Sequence, residues 1–135
     1  MKIAFDVDDT LIIPAVATNL PADTPNYELI NIYKWFQKQG HHMIIWSGGG
    51  VDYATRWAEK LGLLPNEIRI KQKGDDIDIA FDDCIVDLAK VNIRVSRYNN
   101  SASRRCKECG NPIKNSINCL ICDKENSTTE NTITN

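Results

Sequence analysis

Two clusters of carboxylates stand where apolar stretches of the sequence end. Asp6, Asp8 and Asp9 follow one such stretch, and Asp82 and Asp83 follow another. Carboxylates this close repel one another, and a bound cation is the usual remedy. Because the carboxyl ends of parallel strands meet at one edge of a sheet, both clusters can converge on one hard divalent cation such as Mg²⁺. Each cluster alone is more often a solvated turn or a helix cap, so the prediction depends on their combination.

Four cysteines form two Cys-x-x-Cys pairs, Cys106 with Cys109 and Cys119 with Cys122, separated by nine residues. Thiolates at this spacing supply two ligands per pair to a tetrahedral ion. The pattern predicts a structural Zn²⁺ in a small ribbon, since all four ligand positions are used. Redox cysteine pairs and an iron–sulfur cluster are the alternatives. Cys84, which lies apart from these pairs, is expected to be a buried core thiol.

Apolar periodicity predicts the elements that must position these groups. The predicted strands are 2–7, 42–46, 68–70, 77–81 and 91–95, the predicted helices are 27–39 and 51–62, and the proline-rich segment 12–26 is a predicted loop. Strands that alternate with helices indicate an α/β fold with a mostly parallel sheet. Ligand chemistry in such a fold lies at the carboxyl edge of the strands.

The order of these motifs resembles that of the haloacid dehalogenase (HAD) superfamily. The run Asp6-Val-Asp-Asp-Thr-Leu11 is similar to its first motif, Asp-x-Asp-x-Thr. Residues 44–49, Ile-Ile-Trp-Ser-Gly-Gly, resemble the second motif, an apolar strand that ends in Ser or Thr, and residues 79–83 resemble the fourth, an apolar strand that ends in paired acids. The resemblance covers about residues 1–95 and implies a Rossmann-like three-layer fold and Mg²⁺-dependent phosphatase activity.

The resemblance also implies roles for the matched residues. Asp6 matches a nucleophile that forms an aspartyl-phosphate, and Asp8 matches the general acid and base. Thr10 is implied to stabilise the turn beside the substrate. Ser47 matches the hydroxyl that hydrogen-bonds the phosphoryl group, and the backbone N–H groups around Gly48 can assist it.

The implied magnesium ligands are Asp6, the backbone carbonyl of Asp8, and Asp82, with Asp83 nearby or bound through water. The motif lysine, which neutralises the phosphoryl group and the nucleophile, has two candidates. Lys73 stands nine residues before Asp82, a spacing similar to that of family nucleotidases, and is preferred on that ground. Lys71, on or just after the third predicted strand, stays open.

Most HAD phosphatases carry a cap domain that selects the substrate, but this chain has no room for one. Only 36 residues separate Thr10 from Ser47. An uncapped site favours large substrates, so we expect a phosphomonoesterase. Its preferred substrates are nucleotides or phosphorylated nucleic-acid ends, and sugar and protein phosphates are less favoured. Segment 12–26 is a possible flap, in which Asn19, Asp23 and Asn26 are candidate substrate contacts.

Two other functions fit parts of the sequence. A catalytically weak HAD scaffold could serve as an adaptor whose zinc ribbon binds nucleic acid or protein, although the intact acids and Ser47 count against it. A phosphoacceptor receiver also combines carboxylates, a hydroxyl and a lysine on a parallel sheet. Its acceptor Asp usually stands alone on a middle strand, which does not fit Asp6, Asp8 and Thr10 on the first strand.

The net charge of −2 is unevenly distributed along the 135 residues. Residues 1–93 hold 9 Lys and Arg against 14 Asp and Glu, whereas residues 94–125 hold 7 against 3. The basic part can guide phosphate-rich polymers or simply solvate a linker. We expect a catalytic domain over 1–95, a linker over 96–105, a zinc-ribbon-like module of four cysteines over 106–123 and a disordered tail over 124–135. With no signal peptide and no apolar run long enough to span a bilayer, we expect a cytoplasmic protein without a membrane partner.

Overall fold

The computed structural model describes residues 1–15 and 21–96. The predicted four-cysteine module, its tail, the linker beyond Ser96 and the candidate contact Asn19 lie outside these residues. In chain order the elements are β1 (Lys2–Asp6), β2 (Ile12–Ile13), β3 (Thr24–Pro25), α1 (Tyr27–Lys38), β4 (His42–Trp46), α2 (Val51–Leu61), β5 (Glu67–Ile68), β6 (Ile79–Asp82) and β7 (Val91–Arg94). No helix within the described ranges is both long and apolar enough to cross a membrane.

A five-stranded sheet forms the centre of the described chain, in the order β5-β4-β1-β6-β7. All four of its strand pairings are parallel. Each parallel pairing requires a crossover that returns the chain to the same end of the sheet, and α1 and α2 supply two of them. The predicted α/β fold with a mostly parallel sheet is confirmed, and it is compatible with a Rossmann-like arrangement.

Both helices pack on the same face of the sheet. Leu29, Ile30 and Tyr33 form the buried stripe of α1, and Ala54 and Ala58 form that of α2. These side chains cover the inward-facing residues of the central strands in one hydrophobic core. The crossovers from β1 to β4 and from β4 to β5 run in the same direction across the sheet. Right-handed connections therefore place both helices on one side.

The opposite face of the sheet is covered by loops. Trp46, which is fully buried there, packs with Ile44 of its own strand and with Ala4 and Ala80 of β1 and β6. The cover comes from Ile77, Leu88 and Ala89, which belong to the connections before and after β6. Connections this short have little room for a helix and its turns. Where the resemblance implies a three-layer fold, the described residues form one helical layer, the sheet and a thin layer of loop residues.

A tight turn follows β1 directly. The carbonyl of Val7 accepts hydrogen bonds from the backbone N–H groups of Thr10, Leu11 and Ile12, at 3.2, 2.9 and 3.1 Å. Asp9 lies in the left-handed region of the backbone, with φ at 60°, a conformation that Asp tolerates better than most residues with a Cβ atom. The turn reverses the chain at the carboxyl edge of the sheet and brings Thr10 back toward the end of β1.

Part of the predicted loop over 12–26 forms a small antiparallel pair, in which β2 lies beside β3. The Asn26 N–H donates to the carbonyl of Leu11 at 2.8 Å and joins the end of this pair to its start. Ile12 is fully buried, which fixes the pair against the core. A two-residue ladder that includes Pro25 has no periodic sequence signal, so the sequence alone predicts only a loop.

Candidate active site

Parallel register brings two of the predicted acids together at the carboxyl edge of the sheet. Phe5 in β1 lies opposite Phe81 in β6, so Asp6 and Asp82, the next residues of these strands, stand side by side. Trp46 in β4 lies opposite Asp6 on its other side. Ser47 follows directly, so that three strand ends contribute to one place, as the sequence predicted.

Lys71 occupies the space between the two carboxylates. Its Nζ donates to Asp6 Oδ1 at 3.0 Å and also forms an ion pair with Asp82 Oδ2. The Asp6 and Asp82 side chains are 6% and 0% exposed, so the ammonium group compensates two buried charges. Burial raises the pKa of both acids, and Lys71 opposes that rise. Burial alone would lower the pKa of Lys71, but the two carboxylates raise it above its usual range.

Lys73, preferred from its spacing, is not brought to this place. Its Nζ pairs with Asp87 Oδ2 at 2.9 Å, and the two side chains are 63% and 74% exposed. Lys73 also lines a separate surface pocket together with Asp87 and Lys90. The preference for Lys73 is therefore corrected, and Lys71 is the lysine at the acids. The physical reason is that β5 ends at Ile68, so residues 69–78 follow an irregular path that residue counting does not reveal.

The other oxygen of Asp6 is held by the turn that follows it. Thr10 Oγ1 donates to Asp6 Oδ2 at 3.3 Å, and both residues are buried. Asp6 thus receives one hydrogen bond from a cation and one from a hydroxyl. These two contacts fix the orientation of the carboxylate at the end of β1. Thr10 is fully buried at the turn, and its roles at the turn and in substrate binding stay predictions.

Asp8 lies beyond the turn and is paired with a residue that the sequence reading missed. Tyr53 Oη donates to Asp8 Oδ1 at 2.5 Å. Partial enclosure raises the pKa of Asp8, and the hydrogen bond from Tyr53 lowers it. Tyr53 stands in the first turn of α2, the helix whose N-terminus follows the Ser-Gly-Gly-Gly run. No sequence motif points to this contact, so the sequence offered no signal for Tyr53.

Ser47 and the glycines after it form the entry to α2. Ser47 is buried, and its Oγ accepts a hydrogen bond from the Gly49 N–H at 3.0 Å. Gly50 has φ at 100°, which only glycine adopts without strain. Gly48 is exposed at the tip of this loop. The loop thus places Ser47 and the exposed Gly48 just before the N-terminus of α2, an arrangement suited to phosphate oxygens, while the Gly49 and Gly50 N–H groups donate to Ser47 within the loop.

The paired acids after β6 are compatible with a cation. Asp82 Oδ1 accepts a hydrogen bond from the Cys84 N–H at 2.9 Å, whereas buried Oδ2 accepts no hydrogen bond from the described residues beyond its ion pair with Lys71. Asp83 and Cys84 are both buried. One ligand atom from each of Asp82, Asp83 and Cys84 lies within 4.8 Å of the others. The carboxylate oxygens of Asp82 and Asp83 suit a hard cation such as Mg²⁺, whereas Asp6 and Asp8 are not part of this group.

The candidate contacts of segment 12–26 have separate placements. Asp23 Oδ1 accepts from the Ala15 N–H at 2.9 Å, and its charge contributes to the raised pKa of Asp8, so it lies near the site. Asn26 is buried at the start of α1 and connects the hairpin to the helix. His42 pairs with Glu67 at 2.8 Å at the starts of β4 and β5, away from the carboxyl edge.

No protein-family model, curated protein or solved structure matches this chain. The reasons for any function therefore come from the site itself: a buried carboxylate fixed by a lysine and a threonine, a second acid two residues later, and a serine at a helix N-terminus.

Proposed function

We propose that the chain is a Mg²⁺-dependent phosphomonoester hydrolase of HAD type that acts through an aspartyl-phosphate on Asp6. One observation carries the proposal: Asp6 is buried at the carboxyl edge, oriented by Lys71 and Thr10, and stands next to Asp82. A carboxylate that is held in this way beside a half-buried cation is suited to nucleophilic attack on phosphorus.

In the first step an oxygen of Asp6 attacks phosphorus, and the bond to the ester oxygen breaks. Asp8 gives its proton to that leaving oxygen. In the second step Asp8 takes a proton from water, the water oxygen attacks phosphorus, and the bond to Asp6 breaks to release inorganic phosphate. Lys71 and Ser47 bind phosphoryl oxygens as their charge grows, with backbone N–H groups of Gly48 and its neighbours.

Asp6, Asp82 and the backbone carbonyl of Asp8 would hold magnesium, with Asp83 as a direct or water-mediated ligand. A bound Mg²⁺ would neutralise charge on the phosphoryl group and the acids. The oxygen donors favour Mg²⁺ over softer metals, although the neighbouring Cys84 thiol would also suit a softer ion.

We further propose a structural Zn²⁺ held by Cys106, Cys109, Cys119 and Cys122. The support is the sequence pattern of two Cys-x-x-Cys pairs, whose four thiolates complete a tetrahedral site. Nucleotides or phosphorylated nucleic-acid ends are the proposed substrates, because the connections around the site leave no room for a cap domain.

The deciding experiment measures phosphate release by the purified full chain with Mg²⁺. The substrates are an aryl phosphate, mononucleotides, and DNA or RNA oligomers phosphorylated at either end. Asp6→Asn is expected to lose activity about a thousandfold or more. Asp87→Asn, which neutralises an exposed carboxylate 74% accessible to solvent, is the matched control and is expected to keep it.

The same preparations are analysed for metal content. One zinc per chain, lost in Cys106→Ser and Cys119→Ser but kept in Cys84→Ser, supports the zinc proposal. Wild-type protein that contains its metals yet releases no phosphate from any substrate would contradict the phosphatase proposal. The adaptor function would then take its place.

A further inference from the structure

We infer that Tyr53 is the positioning residue for Asp8, and that it holds this carboxyl toward the leaving oxygen of the substrate. The inference rests on the proposed function and adds a residue that none of the sequence motifs contains. Its basis is the hydrogen bond of 2.5 Å from Tyr53 Oη to Asp8 Oδ1, which joins the segment after β1 to α2.

The Tyr53 hydroxyl has a fixed direction in this contact. An ionised carboxylate can only accept a hydrogen bond, so the hydroxyl hydrogen points at Asp8 Oδ1.

The Tyr53 ring is also held in place. A Cβ atom built on Gly49 would lie 3.0 Å from Tyr53 Cδ2 and 3.1 Å from Cγ, so the ring packs directly on the loop backbone. The Gly49 N–H is in turn bound to Ser47 Oγ at 3.0 Å. Tyr53 thus connects Asp8 with the loop that presents Ser47. The Tyr53 side chain therefore fixes the position of Asp8 relative to the loop that contains Ser47.

Asp8 needs such a partner because of where it stands. It follows the end of β1 and is exposed, whereas Asp6 is held within the strand edge by two contacts. An exposed carboxyl on a turn samples several rotamers. General acid catalysis requires the proton within hydrogen-bond reach of the leaving oxygen, so restricting Asp8 raises the fraction of productive encounters.

The test is the dependence of kcat/KM on the leaving group in Tyr53→Phe. For a two-step mechanism kcat/KM reports the step in which the leaving group departs. An alkyl phosphate needs the proton from Asp8, whereas p-nitrophenolate leaves with little protonation. We expect kcat/KM to fall about tenfold for the alkyl phosphate and less than about threefold for p-nitrophenyl phosphate, since general acid catalysis contributes about a hundredfold or more.

One further variant separates positioning from folding. Tyr33→Phe removes a buried hydroxyl that has no hydrogen-bond partner in the described residues, and it should leave both values unchanged.

An equal fall for both substrates in Tyr53→Phe would overturn the inference, because it would indicate a general structural effect. So would unchanged values for both. Neither result would affect the proposed function, which stands or falls on turnover by the wild-type chain. A wild-type chain without turnover would end both proposals.

Discussion

One half-buried ammonium group, that of Lys71, compensates most of the buried negative charge at this site. Asp6 and Asp82 are nearly inaccessible to solvent, and both contact Lys71 Nζ. Removing one partner of such a buried group leaves uncompensated charge, which costs several kcal/mol unless a proton or a metal ion takes its place. Lys71 therefore serves two purposes in our proposal: it opposes the rise in pKa that burial imposes on the two acids, and it neutralises charge during phosphoryl transfer.

Exchanging each lysine for methionine tests this assignment at the level of single residues. Lys71→Met is expected to lower phosphate release about a hundredfold to a thousandfold, because it removes a cation aimed at developing charge. Lys73→Met should change it less than about twofold, since its partner Asp87 is an exposed surface residue. The measurement is kcat with saturating Mg²⁺ for both variants. Equal losses would contradict the assignment of Lys71, and a selective loss in Lys73→Met would restore the spacing argument.

The sequence predicted the residues that stand at strand ends, but it did not predict the path of the chain between the strands. Asp6, Thr10, Ser47 and Asp82 could be predicted because each stands at or just after a strand end, where register determines position. The lysine could not be predicted, because it lies in a connection that follows neither a helical nor a strand period. Tyr53 was missed for another reason: its hydroxyl acts across space on Asp8, and no spacing in the chain encodes that contact.

The loop between β4 and α2 is the element on which the site depends. Its glycines turn the chain from the end of β4 into α2, so that α2 begins close to Asp8. Gly50 needs glycine for its positive φ, but Gly49 needs it for space, since an added Cβ would meet the Tyr53 ring at 3.0 Å. At Gly48 nothing lies within 4 Å of an added Cβ.

Alanine at Gly48 and at Gly49 gives a matched pair of variants. Both substitutions restrict the unfolded chain equally, so the difference between them reports the native loop. Gly49→Ala is expected to be less stable than Gly48→Ala by about 1 kcal/mol, because the Tyr53 ring must shift. Urea denaturation at neutral pH measures the two free energies of unfolding. Equal stabilities would indicate that the ring moves freely and would weaken the case for a fixed Tyr53.

The sequence predicted the helices and strands of the sheet more accurately than it predicted the boundaries of β5 or the hairpin of β2 and β3. The sequence predicted α1 and α2 to within one residue at their ends, because buried side chains recur at helical spacing. It predicted all five strands of the sheet, but β5 is shorter and lies earlier than expected. The hairpin of β2 and β3 could not be predicted, because its stability comes from tertiary contacts such as buried Ile12 rather than from local pattern.

The whole molecule combines an acidic body with a basic C-terminal part. Residues 1–93 carry 14 acidic against 9 basic side chains, and Asp8, Asp23 and Asp83 add negative charge around the site. The net negative charge of residues 1–93 would repel a nucleic acid everywhere except close to Lys71. If phosphorylated nucleic-acid ends are the substrate, attraction has to come from residues 94–125, where 7 basic side chains stand against 3 acidic ones.

This division of charge can be tested with two triple variants of equal net charge. Arg104→Gln/Arg105→Gln/Lys107→Gln is expected to lower kcat/KM for a phosphorylated oligonucleotide about tenfold at low salt. It should also reduce the slope of log(kcat/KM) against log[salt] by about 2, since each phosphate contact on a single strand contributes about 0.7. A mononucleotide, with few phosphates to contact, should react as before.

The matched control, Lys34→Gln/Lys38→Gln/Arg56→Gln, removes three charges from α1 and α2, the helices that cover one face of the sheet. Steering by net charge alone would make both triple variants lose oligonucleotide activity equally. Local capture by the C-terminal part would make only the first lose it. Unchanged oligonucleotide activity in both would assign the basic residues to solvation of the chain, and the substrate would then be sought among small phosphate esters that diffuse into the open site unaided.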